Sequence, residues 1–216
     1  MTVVHPRFPA RRQSARAGHW WGRAWVRAIE EAAYSATDLL EARALSRSGN
    51  VGQIMVEPGR FVASVEDSQG LATVAGTIPV LDHAGRAGLA EAIGAESGRV
   101  AALVAGDLPH GLVEHAEEAG VELLPFGGEL GGECTCQAWT DPCVHALAVL
   151  YQLTWLIEAD PFVLFHLRGL PREELLGLVR RHDADLDVAH DAALRAARVM
   201  ALLEDDPTAG VDHLLG

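Results

Sequence analysis

Glu133-Cys134-Thr135-Cys136-Gln137-Ala138-Trp139-Thr140-Asp141-Pro142-Cys143-Val144-His145 holds all three cysteines of the chain beside a histidine. The pattern is C-x-C, then six residues, then C-x-H. Three thiolates and one imidazole make up the Cys3His set of tetrahedral zinc sites, with Zn–S near about 2.3 Å and Zn–N near about 2.0–2.1 Å. One residue between Cys134 and Cys136, in a strand or turn, lets both face the same side. Asp141 as N-cap and Pro142 at the first helical position predict a helix start that carries Cys143 and His145 in its first turn. The positive end of the helix dipole there favours the thiolate form that binds metal. Cys134, Cys136, Cys143 and His145 fill four positions and leave none for water or substrate, which predicts one structural Zn2+ and no catalysis at the metal. Three cysteines do not make a disulfide framework, and no C-x-x-C redox pair is present.

On the C-terminal side of this stretch, Leu147, Leu150, Tyr151, Leu153, Trp155 and Leu156 continue the helix. Asp160-Pro161 starts another with Phe162, Leu164, Phe165 and Leu167. Pro171-Arg172-Glu173-Glu174 opens one more, and Asp185 to Glu204 reads as a last amphipathic helix. On the N-terminal side, the Gly127-Gly128 and Gly131-Gly132 pairs mark loops after a short apolar strand at Val121 to Leu124. Residues 82–119 are helical in composition, with Leu89, Ile93, Val100, Leu103 and Val104 as core positions. From Val51 to Val80 the period changes to two: Ile54, Val56, Phe61, Ala63 and Val65 alternate around a Glu57-Pro58-Gly59-Arg60 turn, and Leu71 to Ile78 supplies a third strand. Trp20, Trp21, Ala24, Trp25 and Ile29 predict a helix from about His19 to Tyr34, and Asp38 caps a second one ended by Gly49. Residues 1–18, with Pro6, Pro9 and four Arg and no periodicity, read as an extended or disordered basic arm.

The expected fold is therefore α+β: a small antiparallel sheet with helical segments, a ββα zinc knuckle and a C-terminal helical bundle. Four segments follow, the arm at 1–18, an α+β domain at 19–120, the finger at 121–158 and a helical region at 159–216.

The 216 residues are 49% hydrophobic and carry a net charge of −13, with no lysine at all. That charge weighs against nucleic acid, because phosphate binding depends on clustered cations. The charge is uneven, however: Arg7, Arg11, Arg12, Arg16, Arg23 and Arg27 lie in the first 28 residues, which contain no Asp or Glu. No apolar run approaches the roughly 20 residues of a membrane span, and no secretory signal opens the chain, so a cytoplasmic protein without membrane contact is expected. No G-x-x-x-x-G-K-S/T loop or G-x-S-x-G elbow is present, and the paired acids Glu117-Glu118 and Glu204-Asp205-Asp206 lie on solvated faces, so no enzyme is expected. His110, His115, His182 and His190 have no ligand-type neighbours that single them out. Trp20, Trp21 and Trp25 at helical spacing read as core rather than as a base-stacking platform, and Trp139 reads as a miniature core for the knuckle, with exposure at an interface as the alternative.

Cys134-x-Cys136 and Cys143-x-His145, with Trp139 and Asp141-Pro142 between them and Ala146-Leu147-Ala148-Val149-Leu150-Tyr151 after, resemble the SWIM-type zinc finger. Trp20-Trp21-Gly22-Arg23-Ala24-Trp25, Val56-Glu57-Pro58-Gly59-Arg60 and Asp160-Pro161-Phe162 are similar to segments of bacterial SWIM proteins, which often accompany Swi/Snf-type helicase-like ATPases. The resemblance implies zinc binding with a protein-interaction or DNA-binding role. The chain departs from the family at Val144, where a basic residue is usual, and at Asp67-Ser68-Gln69-Gly70-Leu71-Ala72-Thr73-Val74, where an Arg-rich strand is expected. The reading is a protein-interaction adaptor, accessory to a helicase-like ATPase in DNA transactions. The alternative is direct nucleic-acid binding through the basic arm and the finger.

Overall fold

Alternating apolar residues build the sheet first. In β2 (Val51–Glu57), β3 (Arg60–Asp67) and β4 (Gly70–Thr77), the buried positions Ile54, Val56, Phe61, Ala63, Val65, Ala72 and Val74 alternate along their strands onto one face, and Val51 is buried beyond a register shift between Val51 and Ile54. A period of two allows this and a helix does not. The β2–β3 turn falls at Pro58-Gly59 with Gly59 at φ +74, as expected from the sequence. The computed structural model describes residues 1–12, 17–96 and 98–205. It shows five antiparallel strands in the order β1-β2-β3-β4-β5, with β1 at Val3–His5 and β5 at Gly131–Cys134.

Within the basic arm, expected to be extended or disordered, Val3–His5 are extended and form strand β1. Val3, Val4 and His5 pair with Val56, Met55 and Ile54. Beyond them, Arg7 Nε donates to Gly49 O and Arg11 N donates to Arg47 O at 2.9 Å, while Phe8 meets Trp155 edge-on. Arg16 lies outside the described residues.

The buried face of the sheet is covered by α6 (Val144–Ala159), in which every residue from His145 to Ile157 is buried. A helix apolar on all sides must be enclosed on all sides. Helices α1 (Trp20–Ala32) and α2 (Ala36–Arg47) pack on it as well. Trp21, Trp25, Ala28 and Ile29 form the buried stripe of α1, at the spacing that the sequence predicts. The cap of α2 is Ser35, not Asp38: Ser35 Oγ accepts from Asp38 N at 3.1 Å. The acid instead sits in the first turn, where it complements the helix dipole.

Helices α3 (His83–Gly94), α4 (Arg99–Val104) and α5 (His110–Glu118) form the middle of the chain. Val121 to Leu124 is not the expected strand. Val121 and Leu123 are buried, but Glu122 O accepts from the buried Arg168 guanidinium at 2.7 Å, which also reaches Pro79 O. That carbonyl is thus satisfied by a side chain instead of a ladder. After α7 (Phe162–Leu167), one continuous helix, α8 (Arg172–Asp205), replaces the two expected helices. Leu175 and Val179 anchor its first turns in the core, and Leu186, Val188, Leu194 and Met200 are exposed beyond them. Among the described residues no helix is long and apolar enough to cross a membrane.

Candidate metal centre

Strand β5 lies against β4, with Cys134 opposite Val74, and Thr135 prolongs the pairing through Thr135 N to Thr73 O. The chain then turns sharply. Gln137, in the left-handed region at φ 54, donates its N–H to Cys134 O, and this brings Cys136 back toward Cys134. Asp141 Oδ1 accepts from Gly132 N at 3.0 Å and ties the returning loop to the strand. Its carboxylate is therefore engaged in closing the loop, and the N-cap of α6 is Cys143, two residues later than the sequence predicts. His145 still falls in the first turn of the helix.

The four predicted ligands come together. Cys134 Sγ, Cys136 Sγ, Cys143 Sγ and a ring nitrogen of His145 all lie within 4.8 Å of one another. Cys136 and Cys143 Sγ are 3.6 Å apart, and Cys134 Sγ is 3.7 Å from His145 Nδ1. A tetrahedron with metal–sulfur bonds near 2.3 Å has edges of about 3.8 Å, so the donor set fits a zinc ion. The thiols are free and too far apart for a disulfide, whose S–S bond is about 2.05 Å. Cys143 is buried and Cys136 lies at the surface.

The structure adds a residue that the sequence reading did not assign. His145 Nε2 is 2.9 Å from Asp67 Oδ2, at the end of β3. A carboxylate only accepts, so Nε2 carries the proton and donates it, which leaves the Nδ1 lone pair for the metal. Asp67 is itself held through Oδ1 by Gln69 N and Gly70 N at 2.8 and 3.2 Å. The Gln69 N–H, followed by His145, keeps its carboxyl below the usual range. The segment expected to be Arg-rich thus supplies the group that orients a ligand. Asp67→Ala should weaken zinc affinity about 10- to 100-fold without removing a ligand, measured by competition with a chromophoric chelator.

Without metal the donors hold their protons unequally. Burial pushes the Cys134 thiol up to about 12 and raises that of Cys143. Burial also opposes ionisation of Cys136, but the Ala138 N–H and hydrogen bonds with His145 and the other thiols outweigh it and bring it down to about 7. Burial likewise disfavours the charged form of His145, yet contacts with Cys136 and Asp67 raise its pKa. At pH 7 zinc must therefore displace the protons of Cys134 and Cys143. Uptake should release at least about two protons, with affinity climbing as pH rises and metal lost on acidification. Titration calorimetry in buffers of different ionisation enthalpy measures this directly.

Residues 120–153 match the SWIM zinc finger family. The SWIM finger and the clustered donors together support one structural zinc. The chain is also similar to the uncharacterized protein Rv2102 of Mycobacterium tuberculosis, with 27% identity over 188 residues, 86% of this chain and 67% of that protein. No solved structure gives a significant match. The SWIM finger is not a free-standing appendage, since its strand is the fifth of the sheet and its helix is the centre of the core. Trp139 is not the miniature core of the finger but takes the alternative of exposure: it is 78% exposed, and its ring meets that of Tyr34, 68% exposed, edge-on at 4.5 Å.

Proposed function

We propose that this protein is a zinc-held interaction adaptor of the cytoplasm, in which Cys134, Cys136 and Cys143 through Sγ and His145 through Nδ1 take all four positions of one ion. The observation that carries the adaptor reading is the exposed pair made by Trp139, on the loop between the second and third ligands, and Tyr34, on the connection between α1 and α2. Two large aromatic rings left in water are unfavourable in isolation and are the residue types that dominate protein interfaces. Zinc fixes the ends of that loop, so little ordering is left to oppose binding. The partner that the SWIM resemblance suggests is a Swi/Snf-type helicase-like ATPase, with this protein as its accessory in DNA transactions. The net charge of −13 favours a protein partner over direct phosphate contact.

The test is co-purification from source cells with the tagged protein, identifying the ATPase by mass spectrometry, followed by affinity measurement with the purified pair. Trp139→Ala should weaken the complex about 30-fold or more while zinc content stays at one per chain. Unchanged affinity would defeat the reading. So would tight, steeply salt-dependent DNA binding by the isolated protein through the finger.

A further inference from the structure

A chain with 30 acids and 17 arginines has little positive surface to spare, yet three arginines converge on one cleft between α1, α2 and α6. The cleft has a volume of about 540 Å³ and is lined by Arg23, Arg27 and Arg43, with Tyr151, Trp155 and, as the one carboxylate among the described residues, Glu30. Arg23 and Arg27 are one helical turn apart on α1, a like-charge spacing that destabilises a helix in isolation. Among the described residues neither has a carboxylate partner; Arg23 donates only to Gly18 O at 2.7 Å. Arg43 is fixed from two sides, donating to Glu30 and, through Nε, to Tyr151 Oη at 2.9 Å. Because Tyr151 Oη accepts from Arg43, its own proton remains for another acceptor. Burial raises the Tyr151 pKa and keeps it a neutral donor.

The cleft thus offers two guanidinium groups that have no carboxylate partner among the described residues, and a hydroxyl donor, beside an aromatic and aliphatic wall of Tyr151, Trp155 and Val26. Bare phosphate would use the cations and waste the wall. An apolar ligand would use the wall and leave the cations unanswered. Glu30 adds one acceptor, suited to a sugar hydroxyl or an exocyclic amine. The volume falls within the range of about 300–1,000 Å³ that small-molecule sites occupy. We infer that this cleft binds a nucleotide, with its phosphate on Arg23 and Arg27 and its planar base against the aromatic wall. The source is either a free nucleoside phosphate or one unit of a single strand. The inference is independent of the adaptor reading, since the cleft lies on α1, α2 and α6 and uses neither Trp139 nor a zinc ligand.

The zinc-loaded full chain is titrated at low salt with adenosine monophosphate and with inorganic phosphate by calorimetry, and with a fluorescent ten-residue oligothymidylate by anisotropy. Adenosine monophosphate or the strand should bind, and the double variant Arg23→Ala, Arg27→Ala should weaken that binding at least about tenfold. Tyr151→Phe, which keeps the ring and removes the hydroxyl, should weaken it several-fold. Arg60→Ala, in the β2–β3 hairpin, should leave it unchanged. Binding of the mononucleotide alone assigns the site to a free nucleotide, and strand binding displaced by the mononucleotide assigns it to a strand. Equal binding of inorganic phosphate, binding that survives loss of both arginines, or no binding of any probe at millimolar concentration would overturn the inference.

Discussion

Removal of zinc lowers the thermal midpoint by roughly 10 °C or more, and Cys143→Ser does the same while leaving less than one zinc per chain. Structural zinc sites in isolated fingers contribute about 10–16 kcal/mol of apparent binding free energy at pH 7, and that energy is folding energy. In this chain only part of it has to reach the global transition, because the rest of the core persists. Even a few kcal/mol shifts the midpoint of a protein this size by roughly 2–4 °C for each. The effect is large because of what the site joins. Cys134 ends β5, which closes one side of the sheet, whereas Cys143 caps and His145 begins the helix at the centre of the core. Without the ion, three thiols and an imidazole remain pressed together within 4.8 Å with unequal protons and no common partner. Elemental analysis beside differential scanning calorimetry tests this. An unchanged transition after verified metal removal would show that the fold does not use the ion.

Trp25→Ala is expected to destabilise the protein by about 3–5 kcal/mol, the range for emptying a buried aromatic site. That is a large share of a typical total of about 5–15 kcal/mol. Trp25 is fully buried between α1 and α6, and its indole Nε1 donates to Leu150 O at 3.3 Å. Trp21, one turn earlier, does the same toward Ile157 O. The substitution therefore opens a void and unties a hydrogen bond on the helix that carries Cys143 and His145. A urea titration should show the midpoint falling at unchanged slope. The same burial removes Trp21 and Trp25 from any base-stacking role, as their spacing in the sequence suggests, and Trp20 packs against His110.

Much of this architecture is legible in the sequence because it is local. The C-x-C and C-x-H pairs, the Pro58-Gly59 turn and the stripe through Trp21, Trp25 and Ile29 each declare themselves within a few residues. What fails to show depends on partners far along the chain. Asp141 reads as a helix cap until Gly132 takes its carboxylate, and Val121 to Leu124 reads as a strand until Arg168 takes a carbonyl. Asp67 looks like an ordinary turn residue; only the hairpin and α6 together bring it to His145. Val3–His5 has no apolar period of its own and becomes a strand by adding to the open edge of β2. The amphipathic stretch from Asp185 reads as a separate last helix, but no Gly or Pro interrupts residues 178–205, and one helix runs through it.

The way the finger is welded into its surroundings also limits how it can be moved. Its strand depends on backbone supplied by β4, and its helix is wrapped by the sheet, α1 and α2. Cut out as residues 120–153, it would carry every donor atom and almost none of its shelter, so its greasy helix would meet water along its whole length. Grafting this finger onto a foreign scaffold would require taking most of the parent with it.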